Sequence, residues 1–157
     1  MHNAIPTSTS HAPAFGGGET LLPGVYSIAA AGSIAGVLNL DAQGDPNAVF
    51  IFQIGLAFST GASTTVNLIN GALARNVFWI AGGAIDLGAI TTMVGTLIAN
   101  DGAVSMAAGS TLEGRLLSNT GAASIDVSTI FLPAAALPVT LIDFKAIKNN
   151  DDIKLLW

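Results

Sequence analysis

Between Leu21 and about Leu132 the chain is a nearly continuous series of short segments in which apolar and polar positions alternate, punctuated by Gly, Asn and Asp. Stacking the segments brings out a repeat, because Gly83-Ala84, Gly102-Ala103 and Gly121-Ala122 follow one another at intervals of 19 residues. In that register Ile85 aligns with Val104 and Ala123, and Leu87 with Met106 and Ile125. Between them Asp86, Ser105 and Ser124 form a polar column. Thr92 matches Thr111, Met93 matches Leu112 and Gly95 matches Gly114; Phe78 is aligned with Leu97 and Leu116. Alternation of period two, kept from coil to coil, predicts a parallel β-solenoid with apolar residues inside and polar ones outside. Coils before Asn76 fit this frame only with insertions, notably at 66–74. An antiparallel sandwich is the weaker fit.

The flanks read differently. Residues 1–20 are rich in Ser, Thr, Pro and Gly and end in Gly16-Gly17-Gly18, the pattern of a flexible arm. The solenoid is expected over 21–133, and 134–138 is a Pro- and Ala-rich linker. The alternating runs Val139–Phe144 and Ile153–Trp157 within 139–157 resemble the first strands of a further β-module, too short to close a core.

Composition narrows the function. Of the residues, 51% are hydrophobic and only 10% charged, and small side chains fill the difference, which suits close-packed β-coils. A net charge of −5 without any basic cluster argues against nucleic acid as a partner. The absence of Cys removes disulfides and thiolate metal sites. No apolar run reaches the roughly 18 residues of a spanning helix, so membrane insertion is not expected. The start, Met1-His2-Asn3, lacks the basic-then-apolar plan of a signal peptide, so any signal has been removed or the true N-terminus lies upstream.

Catalysis finds little support. The solenoid's carboxylates are Asp41, Asp45, Asp86, Asp101, Glu113 and Asp126. Asp41, Asp45 and Asp101 sit in turn sequences, and Asp86 has only Ser105 and Ser124 in its column, whereas a glycosidase needs two carboxylates at a set separation. The only histidines, His2 and His11, fall in the arm and read as solvated residues, and no Gly-x-Ser-x-Gly elbow occurs. No catalytic residue, cofactor or metal site is therefore assigned.

What remains is a repeated small-x-Thr element: Ala62-Ser63-Thr64, Ala89-Ile90-Thr91, Gly109-Ser110-Thr111 and Val127-Ser128-Thr129, with Thr65 and Thr92 beside it and Ser33 as a doubtful extension. In a parallel stack equivalent residues recur about every 4.8 Å. The reading is of one exposed column, Thr64, Thr91, Thr111 and Thr129, on a flat face; the alternative is that Thr simply suits a solvent-facing strand.

Several longer stretches carry a resemblance. Leu22-Pro23-Gly24-Val25-Tyr26-Ser27, Asp41 through Ile54, Asn70 through Trp79 and Leu112-Glu113-Gly114-Arg115-Leu116-Leu117-Ser118 resemble the signature of the microbial ice-binding (antifreeze) protein family, in order, from about Gly18 to Pro133. The resemblance implies an all-β, right-handed parallel β-helix of triangular section, secreted or at the cell surface, whose partner is the surface of an ice crystal. It implies ice-binding residues on the Thr-bearing elements: Thr64, Thr91, Thr111 and Thr129, with Thr65, Thr92, Ser63, Ser110 and Ser128. The family's leading Thr is replaced here by Gly61, Gly88, Ala108 and Asp126, which implies a weaker binder. The family's long flanking helix has no counterpart in this sequence, so a bared apolar strip is expected. The tail from Leu137 resembles the start of modules that follow secreted bacterial domains, so further C-terminal modules are expected partners. An adhesin or carbohydrate-binding solenoid of a secreted bacterial protein, using the same face or the Asp86/Ser105/Ser124 column, is the competing function.

Overall fold

A computed structural model describes residues 8–133, 145–149 and 152–156. The chain winds in successive turns, each laying one strand on each of three faces. In chain order these are β1 (Thr9–Ser10), β2 (Ala14–Gly16) and β3 (Glu19–Leu21); β4 (Gly24–Ile28), β5 (Gly32–Ala35) and β6 (Val37–Asp41); β7 (Phe50–Ile54), β8 (Phe58–Thr60) and β9 (Thr65–Ile69); β10 (Val77–Ala81), β11 (Ile85–Leu87) and β12 (Thr92–Ala99); β13 (Val104–Met106) and β14 (Thr111–Ser118); β15 (Ala123–Ile125) and β16 (Thr129–Phe131). The long strands β12 and β14 turn a corner midway, so each serves the third face of one coil and the first face of the next. All pairings within the solenoid are parallel: β1-β4-β7-β10-β12-β14 on the first face, β2-β5-β8-β11-β13-β15 on the second, and β3-β6-β9-β12-β14-β16 on the third. A separate antiparallel hairpin joins 145–149 to 152–156. The expected linker 134–138, and the rest of the tail module, lie outside the described residues.

Strand register follows the alternation read from sequence. Ile85 pairs with Val104 and Val104 with Ala123, while Thr92, Met93 and Gly95 pair with Thr111, Leu112 and Gly114. One alignment slips: Phe78 pairs with Thr96, and it is Trp79 that pairs with Leu97. The second and third coils are about as regular as the late ones but longer, since Gly24 pairs with Phe50 and Val77 with Phe50, against Thr92 with Thr111. Their extra residues lie at one corner, in the loops 42–49 and 70–76; of the expected insertion 66–74, β9 occupies 66–69 and the loop the rest.

The expected arm is corrected over 8–20. Strands β1, β2 and β3 pair in parallel with β4, β5 and β6, and Phe15 is buried against the core. The Gly run that looks like a flexible end is a corner of the first coil, which glycine allows by reaching positive φ at Gly16, Gly17 and Gly18. His11 is correspondingly not a solvated residue: its ring stacks on Phe15 at 4.1 Å and its Nε2 lies 2.9 Å from Glu19 Oε1.

Inside, Tyr26, Phe52 and Trp79 stack across successive coils, with ring centroids 5.4 and 3.8 Å apart, and Phe58, from the same coil as Phe52, stacks on Trp79 at 5.2 Å. The indole Nε1–H of Trp79 donates to the Val94 carbonyl at 2.9 Å, so the bulkiest core side chain leaves no polar atom unpaired. Gly95 makes the tight corner of β12 possible, because its φ is +101° and a Cβ there would lie 2.6 Å from the Val77 carbonyl oxygen.

Candidate functional site: a flat face of small side chains

The Ser/Thr ladder expected from sequence divides into three separate sets once the corners are placed. The second and third faces meet at a corner repeated in four coils, Gly61–Thr64, Gly88–Thr91, Ala107–Ser110 and Asp126–Ser128. At its tip Ser63, Ile90, Gly109 and Val127 all take positive φ, at +56°, +59°, +74° and +35°. The following residue turns its side chain inward. Thr64, Thr91 and Ser110 are 0%, 1% and 1% exposed, and Ser128 is half-buried. Thr64, Thr91 and Ser110 are withdrawn from the surface: Thr64 and Thr91 do not share a column with Thr111 and Thr129, and the expected surface is corrected there. Ser63 sits at the exposed corner tip and offers no neighbouring hydroxyl, since the coils that follow place Ile90, Gly109 and Val127 in its position.

A true threonine column stands one residue later. Thr65, Thr92, Thr111 and Thr129 pair in register at the start of the third face, all at least partly exposed. The column is one residue wide. Beside it run Asn39, Asn67, Val94, Glu113 and Phe131, a series of unlike sizes, and Val94 is buried where the short 3-10 turn Ala74–Asn76 packs against β12. The third face is therefore neither flat nor continuous.

The second face is both. Its central outward column is Ala14, Ser33, Ser59, Asp86, Ser105 and Ser124, six residues in strict parallel register. Two residues earlier along each strand comes an alanine column, Ala31, Ala57, Ala84, Ala103 and Ala122, tied coil to coil by backbone bonds such as Gly32 N–H to Ala57 C=O at 2.9 Å and Phe58 N–H to Ala84 C=O at 2.9 Å. On the corner side the next outward positions are Ala35, Gly61, Gly88 and Ala107, with the exposed Asp126 closing the column in the last coil. The face is thus a lattice of methyls, hydroxyls and bare backbone. Its one central charge, Asp86, accepts a hydrogen bond from Ser105. Ser33, a doubtful extension of the Thr column in sequence, belongs here. Sequence reasoning had half of this face in the Asp86/Ser105/Ser124 column; the remainder was hidden because Ser33, Ser59 and Asp86 are spaced by the longer early coils.

The first face is rougher. Ile51, Phe78 and Thr96 form one outward column with Arg115, and Gln53, Ile80, Ile98 and Leu117 the next. At the corner where it meets the second face lies a shallow depression of about 380 Å³, bordered by Ser27, Gln53 and Asn100 and lined by no carboxylate or imidazole.

The family model for ice-binding-like proteins matches residues 2–131. An ice-binding protein of Nostoc sp. (strain HG1) is 43% identical over 83 residues, covering 53% of this chain and 30% of its own length. Ice-binding protein 1 of Shewanella frigidimarina is 42% identical over 85 residues, again 53% of this chain but 10% of its own. Among solved structures, an ice-binding protein from an Antarctic Flavobacteriaceae bacterium superposes with a TM-score of 0.81 at 44% identity, covering 87% of this chain and 32% of that one. The ice-binding protein of the Antarctic ascomycete Antarctomyces psychrotrophicus gives 0.76 at 35% identity, over 82% of this chain and 62% of that one. The chain spans about a third or less of the curated relatives it matches. With the stacked coils, the flat face and a family match over most of the sequence, this chain belongs to the ice-binding-like family.

Proposed function

We propose that the protein adsorbs to ice through the second face and thereby slows ice growth and recrystallisation. The observation that carries the reading is the width and evenness of that face: columns of Ala, Ser and Ala or Gly side by side, with one carboxylate, Asp86, in the middle column and one, Asp126, at the end of the corner-side column. Ice is itself water, so a charged face would gain little and would hold a mobile hydration shell of its own. Methyl groups repeated about every 4.8 Å order the water above them, and hydroxyls at the same interval anchor that layer by hydrogen bonds. Rigidity matters as much, because a face that had to be ordered on contact would lose entropy in binding. Adsorbed molecules force the ice between them to grow as curved bulges, which lowers the local freezing point. No bond is made or broken, so the reading needs neither catalysis nor a cofactor, and it places the protein outside the cell, where ice first forms.

Ser59→Tyr with Ser105→Tyr raises two bulky side chains from the middle of the second face; Thr92→Tyr with Thr111→Tyr does the same to the threonine column of the third. Recrystallisation inhibition should be lost in the first pair and kept in the second, with far-ultraviolet circular dichroism unchanged in both. Full activity in the Ser59/Ser105 variant would sink the assignment, and loss confined to the Thr92/Thr111 variant would move the contact to the third face.

A further inference from the structure

The corner between the second and third faces contains more hydrogen bonding than a turn requires. The Thr64 hydroxyl lies 2.8 Å from the Gly61 carbonyl in its own corner and 3.2 Å from the Ile34 carbonyl of the preceding coil. Thr91 repeats this with Gly88 at 2.7 Å and Gly61 at 3.3 Å. Ser110 donates to Gly88 at 2.9 Å, and Ser128 lies 2.7 Å from the Asp126 carbonyl and 2.9 Å from that of Ala107. In the other direction, Thr91 N–H donates to Ser110 Oγ at 3.2 Å and Ser110 N–H to Ser128 Oγ at 3.3 Å. Thr60, buried on the neighbouring strand, closes a ring. Gly88 N–H donates to Thr60 Oγ1 at 2.9 Å, the two hydroxyls of Thr60 and Thr91 are 3.0 Å apart, and Thr91 returns its proton to Gly88 C=O. Since the single Thr91 proton goes to Gly88, the Thr60 hydroxyl is the donor of that pair, and each bond in the ring polarises the next.

Besides Ile34, the carbonyls held in this way belong to Gly61, Gly88, Ala107 and Asp126, the residues along the corner-side edge of the second face. The corner also carries strain: Ile90 and Val127 are β-branched, take positive φ and are 65% and 85% exposed, so neither burial nor intrinsic preference holds them there. Something else must fix the conformation, and the inward hydroxyl one residue on is placed to do so.

We propose that Thr60, Thr64, Thr91, Ser110 and Ser128 are positioning residues. Their buried hydroxyl chain clamps the edge of each coil to the next, and so sets the evenness of the face that meets ice. The inference rests on the ice-binding reading and adds to it a set of inward-turned residues that act from beneath the face. Thr91→Val keeps shape and volume but removes the central hydroxyl; Thr91→Ser keeps the hydroxyl and removes the methyl.

The test uses the whole chain near 0 °C, with two readouts. Amide exchange is followed at Ser63 and Ile90, whose N–H groups bond to Ala89 and Ala108 across the corner, and at Ile85, bonded to Ala103 within the face, as an internal control. The second readout is the lowest concentration that still inhibits recrystallisation. Loss of one buried hydrogen bond should speed corner exchange about tenfold in Thr91→Val and raise that concentration by about as much, with Ile85 unchanged and Thr91→Ser near the parent on both. Unchanged corner exchange overturns the clamp, and faster exchange with undiminished inhibition overturns its link to the face. Should Thr91→Val fail to fold, Ser110→Ala puts the same question one coil along. A parent chain inactive on ice would remove the functional reading instead, and corner exchange alone would then decide whether the hydroxyls clamp.

Discussion

Replacing Trp79 by Phe should be the most informative change to the core. The side chain is fully buried, stacks on Phe52 and Phe58 of the preceding coil and donates to Val94 C=O. Phenylalanine keeps a ring in the stack but removes the N–H and the pyrrole portion. Depriving a buried carbonyl of its donor costs about 2 kcal/mol. The missing ring atoms, equivalent to one or two methylenes with a small cavity, add about 1–2 kcal/mol. A loss of about 3–4 kcal/mol is a large part of the roughly 5–15 kcal/mol available to a domain, yet leaves it folded in the cold. Urea unfolding followed by circular dichroism measures it: the midpoint should fall by about 1–3 M with the slope unchanged. Phe52→Leu disturbs the same stack without touching the Val94 bond, and should cost less. If Trp79→Phe shifted the midpoint no more than Phe52→Leu, the bond from indole to carbonyl could not be what ties β10 to the corner of β12 within the fourth coil.

Two further expectations test other parts of the structure. Ile90→Asn puts a residue tolerant of positive φ at a strained, exposed corner tip, and should raise the melting temperature by about 2–4 °C, corresponding to relief of about 1 kcal/mol; a fall in calorimetry would mean that Ile90 is held by contacts, not merely tolerated. The only tyrosine, Tyr26, has its pKa raised above the ordinary value of 10.0 by burial first and by Glu19 last, against the opposing effect of its bond to Leu22 C=O. A raised folded-state value means that its contribution to stability is intact below pH 10 and disappears as pH climbs through the folded pKa. The phenolate absorbance should therefore rise later than in the unfolded chain, and coincident titrations would contradict the burial of the ring.

The coils from β11 to β16 are legible in sequence because corners of equal length keep equivalent residues at nearly fixed intervals. Periodicity fails for the first coils for a local reason: the loops 42–49 and 70–76 lengthen one corner and leave the strands untouched. The arm was misread because glycine signals a flexible end and a tight corner alike. Of the expected Thr column, Thr111 and Thr129 stand where the sequence puts them, while Thr64 and Thr91 lie one residue off, and one residue is enough. A left-handed tip at Ser63 or Ile90 reverses the in-and-out alternation, so that Thr64 and Thr91 face the core while Thr65 and Thr92 face water. Composition cannot reveal that reversal, because Ile and Val are poor candidates for positive φ.

Because nearly every coil presents a similar trio of small residues on the second face, with Asp86 and Asp126 as the exceptions, that surface has no centre. An enzyme loses its activity with one residue at the focus of its site, whereas here the working area is a sum of nearly equal increments laid side by side. Deleting a coil would shorten the surface by one step, and duplicating one would lengthen it by the same step without redesigning any contact but those with its neighbours. Strength of adsorption then becomes a matter of counting, open to adjustment by copying segments of about 19 residues.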